Sequence, residues 1–566
     1  MKLLNKFFIP LMAAGILASC SSENFDSPVL PENGAQDGVN MKIAISLPSS
    51  GGTRAEAGEY VGEEVGKDFE NNVKEVLVVL AHRDNNDFIA RSVSTIATDE
   101  QQKSPIVSTS TFNKSVLVNY INSLGEDPDQ ASVNVFVFCN PTEDLKKAMA
   151  SHTRGDKASS WMDEVYTLSE DNLEYKNVSE GMNIPMANEK NTTLSLPKKS
   201  EIENGDYAVN AFDLGTIPVI RSIARFDFKN TIKDGKYPID ITVNGVNGDN
   251  LVSGGLEIRL THMALVNLSK SFYYLHRTLD KNDNTNYAGT DSRDSYIVDA
   301  DWEWKKANNW EATTGFSNNF MYPLYNNDGD LDVNQWNRIE ITDDLNGDDN
   351  EDKWNTGNQD EGYKIWRYVT ENTIPGAAQA QKTGISTGVV FRGIMNVTDN
   401  TPETIRTAME NYEDIYVYNS TTIFGNWDAV ETWVNKEGNE NLSVTAAYNA
   451  SIGDDGNVDE KKAVENGFTI YRYDAEHGGY CTLYYYWNRH WDNGNNGVMA
   501  PMEFAVVRNN VYKLAVESIS ALGHPRNPGD DPDPVDPDDP DEKGDVKLKM
   551  SVQVLNWTVR KNNIQF

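Results

Sequence analysis

The 566-residue sequence is poor in the residues that build disulfide frameworks, zinc sites and cationic surfaces. It contains three cysteines and seven histidines, without a Cys/His spacing typical of a zinc site. Its 50 Lys and Arg residues are outnumbered by 86 Asp and Glu residues, which gives a formal net charge of −36. Because an acidic surface repels polyanions, we predict no nucleic-acid partner and no anionic membrane surface as a partner.

Catalytic motifs are also missing. The sequence has no HExxH, GxSxG or GxxxxGK[ST] pattern. The stretch HRDNNDFI begins like a kinase catalytic loop, but Ile89 stands where that loop requires Asn. Carboxylates are so abundant that no pair can be singled out for glycosidase chemistry. We therefore predict that the protein is not an enzyme and uses no cofactor.

One acidic loop has the residue types of a calcium site. Asp344, Asn346 and Asp348 alternate along it, and hard cations bind clustered carboxylate and amide oxygens. However, Asp349 stands where an EF-hand loop needs Gly, and Asn355 stands where it needs Glu. We interpret the loop as solvated and predict no metal site, with calcium binding as the alternative.

Long apolar runs are absent after the first twenty residues, which have the pattern of a secretory signal. Lys2 and Lys6 precede an apolar stretch, and residues 1–19 are predicted to be the signal peptide. The stretch LASC at 17–20 resembles a bacterial lipobox, which implies cleavage before Cys20 and lipidation of its sulfur. The alternative is an ordinary signal peptide in which Cys20 has no role. In the first case the lipid is the only membrane anchor.

The other two cysteines lie in strand-like stretches. Cys139 is in VNVFVFCNP and Cys481 is in YCTLYYYW. We expect two buried thiols in separate strands, with a disulfide as the alternative in an oxidising compartment.

Alternating and apolar stretches between turn residues indicate a mostly β fold with long polar loops and a few short helices. Many short strands of this kind are typical of β-sandwich domains. Thr142 can cap a short helix. An Asn/Asp/Gly-rich region at about 280–365 is predicted to be a set of loop insertions. The predicted strands cover 39–47, 73–83, 115–121, 132–141, 206–230, 256–275, 388–397, 414–427, 468–474, 480–491, 502–520 and 546–554.

Two distant stretches have the same pattern. Residues 39–47 present Val39, Met41, Ile43, Ile45 and Leu47 on one face, and residues 546–554 present Val546, Leu548, Met550, Val552 and Val554. The first stretch precedes a Gly/Ser-rich loop with a single arginine, Arg54, where proteases can cut. The second follows an Asp/Pro-rich segment, 525–545, with six prolines.

The shared pattern predicts that both strands fit the same groove. Five buried aliphatic side chains contribute on the order of 10 kcal/mol before entropy costs. If cleavage at Arg54 frees the first strand, the second strand of a neighbouring subunit can enter by β-augmentation. We expect the stiff, acidic 525–545 segment to hold the second strand off its own chain. Head-to-tail donation does not close, so it builds a filament. After Val554 the apolar positions change phase, at Leu555 and Trp557.

Several stretches together resemble the type V fimbrillins of the Bacteroidetes, and among them the major shaft subunits. The resemblance covers nearly the whole chain and is most specific in the last 90 residues. The resembling stretches are LASC (17–20), GGTRA (51–55), VFVFCNP (135–141), SIARFDF (222–228), ALVNLSKSFYYLHR (264–277), GVVFRG (388–393), CTLYYYW (481–487), PMEFAVVRNNVYKLAVESISALGHP (501–525) and VQVLNW (552–557).

The resemblance implies two β-sandwich domains of transthyretin-like or Greek-key type, at 55–225 and 226–524, after a lipidated propeptide at 20–54. It implies outer-membrane lipoprotein export, cleavage between Arg54 and Ala55 by an arginine-specific protease, and strand exchange through 546–566, with the donor region from Val546 to Trp557. The mature subunit would lie in an extracellular fimbria that serves adhesion and biofilm formation. Its partners would be identical subunits, accessory anchor and tip proteins, and host or bacterial surface receptors.

A different class of function is a monomeric outer-membrane lipoprotein that binds glycans. Trp302, Trp304 and Trp310 could stack on sugars if they were exposed. The competing interpretation is that they pack under the long loops.

Overall fold

The computed structural model describes most of the chain after residue 36. The described residues are 37–48, 63–99, 101, 104–125, 127, 129–167, 183–230, 232, 235–245, 248–279, 285–287, 296–307, 316–324, 363–374, 385–440, 442–491, 502–525 and 547–558. Within these ranges, no helix combines the length and the apolar character needed to cross a membrane.

Strands dominate the described chain. They are, in chain order, β1 (Gly38–Ser46), β2 (Glu63–Val65), β3 (Glu75–His82), β4 (Phe88–Thr95), β5 (Ile106–Asn113), β6 (Ser132–Cys139), β7 (Val165–Thr167), β8 (Met186–Asn188), β9 (Thr193–Ser195), β10 (Phe212–Arg221), β11 (Ala224–Asn230), β12 (Lys236–Gly245), β13 (Gly248–Val266), β14 (Leu268–Ser269), β15 (Ser271–Tyr273), β16 (Arg277–Leu279), β17 (Thr285–Tyr287), β18 (Tyr296–Val298), β19 (Phe320–Met321), β20 (Lys364–Val369), β21 (Gly388–Val397), β22 (Ile415–Tyr418), β23 (Thr422–Phe424), β24 (Phe468–Tyr471), β25 (Tyr473–Asp474), β26 (Gly479–Trp487), β27 (Asn510–Ile519), β28 (His524–Pro525) and β29 (Leu548–Thr558).

The helices are short. They are α1 (Lys114–Leu124), α2 (Glu143–Ser151), α3 (Ala158–Trp161), α4 (Lys199–Asn204), α5 (Trp302–Ala307), α6 (Phe316–Asn319), α7 (Glu403–Glu410), α8 (Trp427–Val434), α9 (Ser443–Ser451) and α10 (Glu460–Glu465), with a 3-10 helix at Asp68–Asn71. The predicted class, mostly β with packed sheets and a few short helices, is confirmed.

The first half of the chain forms one sheet with the order β4-β3-β6-β8-β10-β1-β5, to which β9 adds by pairing with β6. The sheet turns along β10, which pairs with β1 in its first part and with β8 at Val219–Arg221. One face encloses a core that includes the four alternating apolar side chains of β1, Leu47 directly after it, and Leu117 of α1. The other face packs against α2 and α3 through Phe136 and Trp161.

The second half forms a sandwich of two sheets. A five-stranded sheet has the order β2-β29-β27-β11-β20, and a nine-stranded sheet has the order β24-β22-β23-β12-β13-β21-β26-β25, with β28 beside β26. Side chains from both sheets, among them Phe228 and Leu514 on one side and Ile258 and Phe391 on the other, meet in one core. Helices α8 to α10 pack on the strands β22 to β24 around a smaller core.

The prediction of a strand at 115–121 is wrong, because this stretch is part of α1. The Asn113 side chain accepts hydrogen bonds from the backbone amides of Ser115 and Val116, which caps the helix. Gly125 ends it in the left-handed conformation, at φ 66°. The buried positions 117, 120 and 121 follow the period of a helix and not that of a strand.

The expectation that the 525–545 segment keeps the last strand off its own chain is also wrong. In this structure β29 pairs antiparallel with β27 of the same chain from Leu548 to Asn556. The apolar face of β29 packs on its own sandwich, where Leu548 is buried and Met550 and Val552 are partly buried against the core. Burial of this face outweighs the stiffness and charge of the segment that precedes it.

Candidate assembly site

Strand β1 is an inner strand of its sheet, between the edge strand β5 and β10, and it is buried along one whole face. It pairs parallel with β10 and antiparallel with β5. The side chains of Met41, Ile43 and Ile45 are 0% exposed, and those of Val39 and Leu47 are 2% exposed. The strand predicted at 39–47 is present, and its five alternating side chains are part of the core rather than a cover on it.

Polar contacts fix the first residues of β1. Asn40 donates from its side chain to the Ala208 carbonyl at 3.0 Å, and its side-chain oxygen accepts from Thr111 at 2.7 Å. Every residue from Gly38 to Ile45 has a register partner on β5. Removal of β1 would therefore open a groove between β5 and β10, with two unpaired strand edges and an apolar floor.

Strand β29 is less completely buried and paired than β1. Leu548 is 8% exposed, and Met550 and Val552 are only partly buried against the sandwich core. In the described chain its ladder with β27 runs along nearly its whole length, but its other edge pairs only where β2 meets residues 556–558. The register on β27 is continuous at Leu555, and its one shift lies between Val516 and Ser518. The phase change is therefore not a bulge, and Leu555 projects from the opposite face of the sheet to Val552.

That opposite face is covered by the 63–71 segment, which we define as β2 together with the 3-10 helix Asp68–Asn71. This segment follows the predicted cleavage loop. Glu64, Glu70 and Asn71 from it are buried, and they contact charged side chains that project from the five-stranded sheet.

The contacts form a buried ion cluster of three cations and three carboxylates: Arg221, Arg225, Lys513, Glu64, Glu70 and Asp227. Arg225 donates two hydrogen bonds of 2.7 Å to the carboxylate of Asp227. It also donates to Glu70 at 3.0 Å and to Glu64 at 3.4 Å. Lys513 pairs with the second oxygen of Glu64 at 3.0 Å. Opposite charges are thus balanced inside the protein, as buried charges require.

Glu70 has further partners. The Tyr368 hydroxyl donates to it at 2.7 Å, and the Lys67 backbone amide donates at 2.6 Å. Burial and the Glu70 carboxylate raise the pKa of Tyr368 well above its usual range, so the phenol keeps the proton that it donates. Arg221 donates to the Glu70 carbonyl at 3.3 Å and to the Asn71 side chain. The 63–71 segment is therefore clamped to both β11 and the end of β10.

Several predicted site residues lie outside the described residues. They are Cys20, Arg54, Ala55 and Val546, and the acidic loop residues Asp344, Asn346 and Asp348. For Val554 and Trp557 the backbone pairing is described, opposite Tyr512 and Glu64.

Of the three tryptophans considered for glycan binding, Trp302 is buried and Trp304 is partly buried against a hydrophobic cluster. Trp302 is 5% exposed and packs with Leu279 and Val298. Trp304 stacks edge to face on Phe320, with ring centroids 5.8 Å apart. Trp310 lies outside the described residues. The packing interpretation holds for Trp302 and Trp304.

Cys139 and Cys481 are both buried free thiols, as expected from the sequence. Burial raises the pKa of Cys139 to about 12, so this thiol is inert.

Sequence reasoning missed the ion cluster. The alternation of Arg225 and Asp227 in the ARFDF stretch resembles the solvent face of a strand, and only the tertiary position of the 63–71 segment buries it. The sequence does show Glu64 and Glu70 shortly after the predicted cleavage loop. Their positions alone do not indicate which cations they contact.

Comparison with known proteins identifies the C-terminal region. Residues 478–563 match the family model described as "Major fimbrial subunit protein type IV, Fimbrillin, C-terminal". This match confirms the predicted resemblance to fimbrillins in the C-terminal region. Among curated protein sequences, none matches the chain.

Similar solved structures include a putative cell adhesion protein from Parabacteroides distasonis, with 12% identity, a TM-score of 0.36, and coverage of 93% of this chain and 100% of that one. A fimbrilin (fimA) from Porphyromonas gingivalis has 11% identity, a TM-score of 0.36, and coverage of 93% and 99%. The C-terminally truncated tip fimbrial protein Mfa3 from the same species has 9% identity, a TM-score of 0.31, and coverage of 92% and 100%. With TM-scores below 0.5, these likenesses decide neither fold nor function.

Proposed function

We propose that this chain, whose C-terminal region is that of a fimbrillin, is the shaft subunit of a fimbria that polymerises by protease-triggered strand exchange. Cleavage between Arg54 and Ala55 separates β1 from the rest of the chain, and β1 leaves the groove between β5 and β10. The C-terminal strand of a neighbouring subunit, from Val546 to Trp557, then enters. The observation that carries the proposal is the burial of the whole apolar face of β1, which is paired on both sides with β5 and β10 and directly precedes the loop that contains Arg54.

The apolar face of β29 is less buried on its own sandwich than that of β1 is in its groove. This difference supports transfer of β29 into the groove. In its own chain β29 leaves Met550 and Val552 partly exposed, whereas the corresponding positions in β1 are fully buried. The groove also offers ladder partners on both sides along its length. Full burial of an aliphatic side chain stabilises by roughly 1.5–3 kcal/mol. The fuller burial of these side chains therefore favours transfer of β29 into an empty groove.

The position of β29 in its own chain adds a step to the exchange. Since β29 starts on its own sandwich, it must peel from β27 before it can be donated. The 525–545 segment then lets the released strand reach the groove of a neighbouring subunit, and it does not prevent pairing within the chain. Twenty extended Pro-rich residues span on the order of 60 Å.

Treatment of the purified precursor with an arginine-specific protease tests the proposal. We expect ladders that resist SDS without heating. Arg54→Lys and deletion of 546–566 should each abolish the ladder, whereas Arg154→Lys, at an exposed arginine in another loop, should keep it. A ladder from the deletion variant would overturn the donor assignment.

A paired substitution tests which face of the donor strand is buried in the groove. Met550→Asp puts a charge on the apolar face and should prevent polymerisation after cleavage. Lys549→Asp changes the neighbouring residue, which is exposed, and should leave it intact. Equal loss of the ladder in both variants would contradict the predicted register.

We also propose that the precursor reaches the outer membrane as a lipoprotein modified at Cys20, and that the assembled fimbria serves adhesion and biofilm formation. Metabolic labelling with palmitate should mark the precursor and not the Cys20→Ala variant. Accessory anchor and tip proteins and surface receptors are the expected partners. Antibody-labelled electron microscopy of cells should show filaments that are lost with the 546–566 deletion.

A further inference from the structure

Three potential metal ligands meet at the hairpin of β25 and β26, a grouping that the sequence spacing did not suggest. Asp474 ends β25, His477 lies in the turn, and Cys481 lies on β26. One ligand atom from each lies within 4.8 Å of the other two. We propose that Asp474, His477 and Cys481 bind a Zn²⁺ ion, with a water molecule as the fourth ligand.

The hairpin register explains why these side chains converge. Asp474 pairs with Gly479, and Cys481 projects from the same face of the sheet two residues further along. His477 reaches the same point from the turn, where its Nδ1 lies 2.6 Å from Asp474 Oδ2. The Cys481 sulfur lies 3.9 Å from the same oxygen.

The carboxylate is held in position by the backbone. Asp474 Oδ1 accepts hydrogen bonds from the amides of Glu476 at 2.9 Å and His477 at 3.2 Å. Its other oxygen, Oδ2, is therefore directed at the imidazole and the thiol. Outer contacts of this kind orient a ligand before the ion arrives.

A tetrahedral zinc ion can be accommodated after a small movement of one ligand. Zn–O and Zn–N bonds of about 2.0–2.2 Å and a Zn–S bond of about 2.3 Å separate neighbouring ligands by about 3.3–3.7 Å. The two observed separations, 2.6 and 3.9 Å, lie on either side of this range. His477 needs to move outward by about 1 Å, and its side chain, 17% exposed at the turn, is less buried than those of Asp474 and Cys481.

The donor set selects zinc over calcium and magnesium. A thiolate and an imidazole are ligands for borderline and soft ions, whereas calcium and magnesium take oxygen ligands. On binding, the Cys481 thiol transfers its proton to solvent and the sulfur bonds to the ion. Three protein ligands with an open fourth position allow exchange of the bound water.

Cobalt(II) titration of the full chain tests the proposal, because a Co²⁺–thiolate bond gives a charge-transfer band in the near ultraviolet. The protein is purified without a histidine tag and carries Cys20→Ala, so that only two thiols remain. We expect one equivalent of Co²⁺ to produce the band and one equivalent of Zn²⁺ to remove it.

Variants assign the ligands. Cys481→Ala should abolish the band, and His477→Ala, at the partly exposed turn, should reduce Co²⁺ affinity by about tenfold or more while circular dichroism stays unchanged. Cys139→Ala removes the other buried thiol and should leave the band intact. Absence of the band in the parent chain, or its retention in Cys481→Ala, would overturn the assignment. Loss of the band in Cys139→Ala would overturn it as well.

Discussion

Glu70 is the residue on which the buried ion cluster can be tested most sharply. The cluster holds three cations and three carboxylates, and Glu70 alone contacts Arg225, Tyr368 and the Lys67 amide. Glu70→Gln keeps the shape of the side chain and removes its charge. Three buried cations would then face two carboxylates.

Loss of one partner from a buried pair leaves an uncompensated charge and costs about 3–5 kcal/mol. We expect a decrease of this size in the free energy of unfolding, measured by urea denaturation. Hydrogen exchange should show faster opening of the 63–71 segment and of β29, because that segment covers the sheet beside β29.

The matched control is an exposed ion pair between β27 and β29. Glu517 pairs with Lys549 at 2.7 Å, but their side chains are 39% and 66% exposed. Exposed pairs contribute about 0–1 kcal/mol, so Glu517→Gln should change stability little. If Glu70→Gln costs no more than Glu517→Gln, the description of the cluster as a balanced, desolvated clamp is incorrect.

Three further predictions concern the cores. Ile43→Ala should lower the stability of the first-half core by about 2–5 kcal/mol, whereas Lys42→Ala, on the exposed face of the same strand, should change the melting temperature little. Burial, beside the Asp299 carboxylate, raises the pKa of Asp301 to about 7. The folded chain therefore holds a proton that the unfolded chain releases near pH 4 (about 3.9 for a free Asp), and stability falls as pH rises through this window. Asp301→Asn should remove that slope in unfolding experiments at pH 4, 6 and 8, and should be more stable than the wild type at pH 8. Gly523→Ala would place a Cβ 2.1 Å from the Leu483 carbonyl oxygen, so a backbone shift costing about 1–3 kcal/mol should lower the melting temperature.

Local pattern predicted much of this fold. Alternation in 39–47 identified β1 and its buried face, and apolar runs located β3, β6, β21 and β26. These elements succeed because each has a sequence period that matches its burial.

Predictions failed where helix caps outside the stretch or contacts with remote strands decide the outcome. The 115–121 stretch has β-branched residues, but the Asn113 cap and Gly125 at its ends favour a helix. The position of β29 in its sheet depends on pairing with β27 and β2, which are remote from it in sequence. The meeting of Asp474, His477 and Cys481 depends on the register of a hairpin, which spacing alone does not give.

The passage from β10 to β11 has a mechanical consequence. Only Ser222 and Ile223 separate the two strands, and the Ser222 amide is bonded to the Pro185 carbonyl. The Asn509 amide donates to the Ile223 carbonyl, and Arg221 is held by Glu70 and Asn71. The junction is thus a stiff coupling between the first sheet and the sandwich. Tension on a strand paired with β10 is carried through this two-residue junction into β11, and the ladders on both sides are loaded in shear, where many hydrogen bonds must break at once.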